Sequence, residues 1–305
     1  MGKVEFNDLL DAGCHFGHLK RKWNPAMAPY IFMEKNGIHI IDLHKTIEKL
    51  DEACAAAKQI AKSGRKILFV ATKKQAKETV SELVKEVGMP YVTERWPGGM
   101  LTNFFTIRKA VKKMSNIDRL VAGSQFNNLS KREKLQLQRE RAKLEKNLGS
   151  IADLTRLPAA VFVVDILKEH IAVAEARRLN IPTFAILDTN SNPKLIDFPI
   201  PANDDASKSI SLIVKMVCDA IAEGLAERKY DKENAEEETI DTDETDNLNI
   251  DIDDIDEDLV APSKTAIQPA VKKVKGIDDE PQEAGKRKRT TIRKTTPTKA
   301  GSSKK

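Results

Sequence analysis

No uninterrupted apolar run in the 305 residues is long enough to span a bilayer. The opening stretch, MGKVEFNDLLDAG, also lacks the apolar core that follows the basic start of a secretory signal. A cytoplasmic chain with no membrane partner is therefore expected. Cysteine is scarce: Cys14, Cys54 and Cys218 are odd in number and widely spaced, which suits reduced thiols and argues against a disulfide framework. Aromatic residues make up 5% of the chain and none follows Tyr230, so the last quarter has little with which to build a core. The two glycine-rich phosphate loops, G-x-G-x-x-G and G-x-x-x-x-G-K followed by Ser or Thr, do not occur. No Ser, His and Asp set has a spacing that points to nucleophilic catalysis.

What is present in excess is charge, and it is unevenly spread. The net charge of +5 conceals three regimes. Residues 231–260 carry 15 Asp/Glu against one Lys, residues 261–305 carry 13 Lys/Arg against four Asp/Glu, and residues 1–230 carry 37 against 27, for +10. Within that body, residues 104–148 hold 12 basic and four acidic side chains, so +8 falls in one 45-residue stretch. Such concentration suggests a polyanionic partner. Residues 231–305, with scattered aliphatics between blocks of like charge, read as a disordered tail, first acidic and then basic. Lys286-Arg287-Lys288-Arg289 in that tail has the composition of an import signal, but solvated charge or attraction to nucleic acid accounts for it more simply.

The apolar pattern of the body alternates between two periods. Leu43, Ile47, Leu50, Cys54, Ala57 and Ala61 step by four and three along a helix that Gly64 ends. The continuous run Ile67–Ala71 follows as a strand, then Ala76, Val80, Leu83, Val84 and Val87 as a helix stopped by Gly88 and Pro90. The alternation resumes with a strand at 161–164, a helix through Arg178, a strand at 183–187 and a last helix carrying Ile210, Val214, Val217 and Ile221. Fully apolar strands alternating with helices predict an α/β fold, a doubly wound parallel sheet covered on both faces. Asn36-Gly37, between Ile31-Phe32-Met33 and Ile38-His39-Ile40, predicts a β-hairpin ahead of it. Ile107, Val111, Met114 and Ile117, and then Leu137, Leu144, Leu148 and Ile151, predict an inserted antiparallel helical hairpin of coiled-coil type. Ser130 and Glu133 form the capping box of its second helix. The expected organisation is a sheet domain over 1–103 and 152–230 with an N-terminal helix and β-hairpin, the basic hairpin over 104–151, and the tail over 231–305.

Several candidate sites can be weighed on that frame. Thr72-Lys73-Lys74 follows a strand, where an N-cap and solvated lysines explain the residues more simply than phosphate binding. Cys14, His15 and His18 raise a zinc question, but a fourth ligand is missing and ring packing in a structured loop is preferred. Asp165, Asp188, Asp204 and Asp205 lie at or beyond strand ends, where carboxylates serve as caps and turn formers as readily as they serve catalysis. No catalytic residue, metal or cofactor is assigned. Lys20-Arg21-Lys22-Trp23 and Arg95-Trp96 combine cations with flat rings, a pairing suited to phosphates, sugars or unstacked bases, while a solvated loop with a buried Trp accounts for either cluster alone equally well. Arg108, Lys109, Lys112 and Lys113 lie on adjacent helical turns, with too few acids nearby for simple i to i+4 pairing. These ten residues form the candidate RNA-binding set.

The segments His15-Phe16-Gly17-His18, Trp23-Asn24-Pro25, Met27-Ala28-Pro29-Tyr30-Ile31-Phe32 and Asn36-Gly37-Ile38-His39-Ile40-Ile41-Asp42-Leu43 resemble the opening signature of a known family. Further blocks follow in order: Phe69–Ala76, Arg95–Phe104, Leu157-Pro158, Val163-Val164-Asp165, Glu175-Ala176, Ile181-Pro182, Asp188-Thr189-Asn190 and Ile200–Ala206. The family is small-subunit ribosomal protein two, universal, in its bacterial form. Pro97, Asn192 and Phe198 depart from its usual leucine, aspartate and tyrosine, and the tail has no counterpart in shorter members. The resemblance implies a Rossmann-like domain with a protruding helical hairpin, and a non-enzymatic part of the small subunit. It also implies contacts to 16S-type ribosomal RNA and to other small-subunit proteins, with help in recruiting ribosomal protein one. No homo-oligomer is expected. The competing reading is a nucleotide- or sugar-phosphate-binding enzyme on the same sheet, which the missing phosphate loop and the position of the positive charge disfavour.

Overall fold

The computed structural model of the chain describes residues 4–123, 126 and 129–245. A short helix α1 (Phe6–Asp11) leads into β1 (Phe16–Leu19), and the expected hairpin follows as β2 (Ile31–Lys35) and β3 (Ile38–Ile41). Asn36 and Gly37 take φ of 54° and 75°, the left-handed geometry a two-residue hairpin turn requires. β1 adds to β3 as a third antiparallel strand, which the sequence reading did not include. Then come α2 (Leu43–Lys62), β4 (Ile67–Val70), α3 (Lys74–Glu86), β5 (Tyr91–Val92), α4 (Phe104–Ala122) and α5 (Lys131–Leu148). The chain continues through β6 (Ala160–Val164), α6 (His170–Arg178), β7 (Thr183–Leu187), β8 (Phe198–Pro201) and α7 (Ser207–Thr245).

Strands β4 to β8 form a five-stranded sheet in the order β5-β4-β6-β7-β8, parallel throughout. Register lines up one aromatic on each strand: Tyr91, Phe69, Phe162, Phe184 and Phe198 are successive cross-strand partners. Phe69 and Phe162 lie 5.0 Å apart at their centroids and Phe184 and Phe198 4.5 Å, so the row interlocks beneath α2, α3 and α7. Burying Phe69, Phe162 and Phe184 contributes roughly 2–3 kcal/mol each. The alternate residues Leu68, Val70, Val161, Val163, Ala185 and Leu187 face the other way, against α6, Met27, Trp96, Met100 and Ile151. Both faces are thus covered, as the uninterrupted apolar strands predict. All three cysteines are buried and unpaired.

Three further elements differ from the sequence reading. β5 is two residues long, too short to show a period. β8 contains Pro199 and Pro201, which are tolerated because it is an edge strand whose outer N–H groups have no neighbour to serve. The last helix passes the expected boundary at 230 and runs to Thr245. No Gly or Pro lies between Leu225 and Thr245, and this Glu-rich sequence has nothing that stops an existing helix from extending. Residues 246–305, the rest of the expected tail, lie outside the described residues.

Helices α2 and α7 approach closely at Gly224, where an added Cβ would lie 2.5 Å from the Lys58 carbonyl oxygen and 3.1 Å from the Ala61 Cβ. Beyond this approach along α7, Lys58 bridges to Glu227 (2.7 Å) and Lys62 to Asp231 (3.2 Å). Gly224→Ala is expected to destabilise the chain by about 2 kcal/mol, because overpacking outweighs the gain in helix propensity of about 1 kcal/mol. Urea unfolding checks this, and a midpoint equal to or above wild type would mean that the helices can part without cost.

Candidate nucleic-acid interface

One carboxylate ties the loop that leads into α4 to α6, beside the apolar packing of Phe104, Ile107, Leu148 and Ile151 against the sheet. Glu175 on α6 is buried, at 8% exposure, and accepts hydrogen bonds from the backbone N–H groups of Gly99 (2.7 Å), Leu101 (2.9 Å) and Thr102 (3.2 Å). It also accepts from Trp96 Nε1 at 3.2 Å. Burial alone would raise its pKa, but these donors outweigh burial and hold the carboxyl below the usual range. Gly99 turns the loop with φ of 82°, and α4 begins three residues after Leu101. Two separated sequence blocks, Arg95–Phe104 and Glu175-Ala176, therefore meet at one hydrogen-bonded node. The sequence reading assigned Glu175 no role, although an acid beside Ala172, Val173 and Ala176 on a buried helix face was a visible signal.

Of the two sequence readings of Trp96, a stacking ring beside Arg95 or a buried ring, the structure has the second: the ring is 7% exposed and its indole N–H donates to Glu175. Arg95 alone of that pair reaches the surface. Lys20, Arg21 and Lys22 form an exposed 3-10 turn after β1, with Lys20 paired to Glu34 at 2.8 Å. Trp23 is half-buried and packs on the ring of buried His39, with centroids 5.1 Å apart. In the insertion, both expected helices and the Ser130–Glu133 capping box are present. Ion pairs Lys113–Glu140 and Arg141–Asp118 link α4 to α5. Arg108, Lys109 and Lys112 occupy the side of α4 away from its buried Met114 and Ile117. Among the described residues, Lys109 and Lys112 form no ion pair.

At the carboxyl ends of the strands four sequence blocks converge. The crevice between β4 and β6, the strand-order switch point where doubly wound sheets bind nucleotides, is occupied by the protein's own side chains. Lys73, expected to be solvated, is buried at 4% exposure and lies 2.8 Å from Asp204, 2.7 Å from Asp205 and 3.5 Å from Asp165. Thr72, expected as the helix cap, gives its backbone N–H and hydroxyl to Glu169, and Lys73 takes the N-cap position. Burial opposes the charge on Lys73, yet Asp204 and Asp205 prevail and raise its pKa. Burial, with Asp188 and Asp165 nearby, pushes the Asp204 carboxyl up to about 7.

His18 enters the same cluster. Its Nδ1 lies 2.8 Å from Asp188, a bond that raises the pKa of the ring against the opposing effect of burial. Its backbone N–H donates to Thr189 Oγ1 at 2.9 Å, and Gly17 sits so close that a Cβ there would be 2.6 Å from the Thr189 methyl group. His18, Asp188 and Asp204 offer ligand atoms within 4.8 Å of one another, a set that could hold a metal ion. Of the sequence trio Cys14, His15 and His18, only His18 belongs to it. Cys14 is buried in the core, where its carbonyl accepts from the Asn203 N–H at 3.0 Å.

The family model described as ribosomal protein S2 matches residues 9–224. The small ribosomal subunit protein uS2 of Phocaeicola vulgatus is 70% identical over 236 residues, covering 77% of this chain and 85% of that protein. Those of Porphyromonas gingivalis and Azobacteroides pseudotrichonymphae are 70% identical over 232 and 231 residues, covering 76% of this chain and 83% and 88% of theirs. With the family model matched over residues 9–224 and relatives at 70% identity, the chain belongs to the ribosomal protein S2 family.

Proposed function

We propose that the chain is a structural constituent of the small ribosomal subunit, working in the cytoplasm on that particle, where it binds ribosomal RNA and neighbouring small-subunit proteins. It is not an enzyme, in keeping with its family and with a switch-point crevice filled by Lys73 and its aspartates. The observation that carries the RNA reading is the +8 charge of residues 104–148, with Arg108, Lys109 and Lys112 on the free side of α4. Lys20, Arg21, Lys22 and Arg95 supply further phosphate contacts, while Trp23 and Trp96 brace the loops that carry them. Lys/Arg side chains set on a rigid sheet and hairpin neutralise phosphates in register with folded RNA. Recruitment of ribosomal protein one rests on the family resemblance, and particles lacking this chain would then lose protein one as well.

Sedimentation of a lysate through sucrose at moderate and high salt tests the reading. Co-migration with the small subunit that disappears only at high salt supports it, and a chain found at the top of the gradient under both conditions ends it. Replacing Lys112 and Lys113 with glutamate is expected to weaken association and flatten its salt dependence by about 0.7 to 0.9 in log–log slope for each phosphate no longer neutralised. Lys112 should account for most of the change, because Lys113 is already paired with Glu140. An unaffected slope would remove this side of α4 from the interface.

A further inference from the structure

Phe105 is 69% exposed, in contrast to its neighbour Phe104, which packs against the core. An exposed phenyl ring gives the fold nothing, so its surroundings decide what it can do. Phe105, Arg108 and Lys109, Lys112, Asn116 and Arg119 lie on successive turns of α4 and line one side of a groove of about 890 Å³. Ala152 and Thr155 form part of its other wall. Lys109 Nζ stands over the Phe105 ring at 4.4 Å from the centroid, and Arg108 Nη1 is tied to the Leu154 carbonyl at 3.1 Å. No acidic residue lines the groove, and among the described residues Lys112 and Arg119 form no ion pair.

Resting on the RNA-binding reading above, we infer that Phe105 is a stacking platform for one unpaired base of the subunit RNA, with Lys109, Lys112 and Arg119 on the adjoining phosphates. Charge complementarity selects the occupant. An acidic peptide would satisfy the four cations but leave the ring without a flat partner, and an apolar protein surface would strand the cations without counter-charge. An unpaired nucleotide supplies both a π-face and phosphate oxygens. The groove volume falls within the range of about 300–1,000 Å³ that suits small ligands. Arg108, held by Leu154, stiffens the wall on which the ring stands.

The test uses small-subunit particles lacking this protein, rebuilt with the full wild-type chain, Phe105→Leu or Phe105→Trp. Because Phe105 is exposed, the leucine chain should fold as wild type. Phe105→Leu is expected to weaken incorporation about ten- to a hundredfold, leave the salt slope unchanged, and expose one unpaired base to chemical modification. Phe105→Trp should restore both the affinity and the protection. Wild-type affinity and protection in Phe105→Leu would overturn the inference. So would a loss of affinity with no base changing its reactivity, which would mean that a protein neighbour covers the ring. Failure of the wild-type chain itself to enter the particles would instead defeat the ribosomal reading.

Discussion

Replacing Lys73 with methionine is expected to cost about 3–5 kcal/mol of stability, the penalty for leaving buried charge without its partner. Methionine matches the length of the stem, so the loss comes from charge and hydrogen bonding and leaves packing largely intact. Asp204 is fully buried, and Oδ1 is the oxygen that Lys73 holds; Oδ2 has no hydrogen-bond partner among the described residues. The pH dependence follows from linkage. Asp204 has a folded pKa of about 7 against an ordinary 3.8, so the folded state holds the extra proton and its contribution to stability declines as pH rises between those values. Without Lys73, ionisation of Asp204 above pH 7 is worse still. The cost of Lys73→Met should therefore be larger at pH 8 than at pH 5, where Asp204 is protonated in both chains. Adding Asp204→Asn should recover part of it. Urea unfolding at the two pH values measures this, and equal costs with no recovery would mean that the cluster is not held by this pairing.

Glu175→Ala carries the second large effect, about 3 kcal/mol, because it strands several backbone donors and the Trp96 indole in a buried loop. The sign of its pH dependence is opposite to that of Asp204. A carboxyl held below its ordinary 4.5 contributes stability that is complete above that value and is lost as pH falls through its lowered pKa. Wild type and variant should thus differ most near neutral pH and converge in acid. The damage should also be local first: hydrogen exchange should rise in residues 96–104 and at the start of α4 before the β4–β6 strands open. Glu175→Gln separates charge from shape, since a neutral amide keeps one acceptor for a subset of the donors. An alanine variant with normal exchange in that loop would show that α4 is anchored elsewhere.

Much of the fold is legible in the residues because the relevant signals are local. Ile67–Val70 and Ala160–Val164 are apolar without interruption, a pattern only a doubly covered strand needs, and Asn36-Gly37 fits a left-handed turn at low cost. The elements missed are those whose local signal is weak or contrary. β5 is too short for a period, and the prolines of β8 argue against a strand until its edge position is known. The candidate site rests on composition alone: charge concentration singles out residues 104–148, yet nothing in the sequence distinguishes the paired Lys113 from Lys112, or buried Trp96 from a free ring.

The sequence by itself determined the alternating strands and helices, the caps that bound them, the family, and the sign of the partner, because propensity, periodicity and net charge depend on neighbours along the chain. Tertiary structure decided which polar residues are spent on the protein itself. Lys73 and its aspartates lie 131 residues apart in the case of Asp204, and Glu175 stands 73–79 residues from the donors it gathers. Burial and desolvation act on whatever the fold brings within a few ångströms, so these roles appear only once the sheet has closed and α4 has docked.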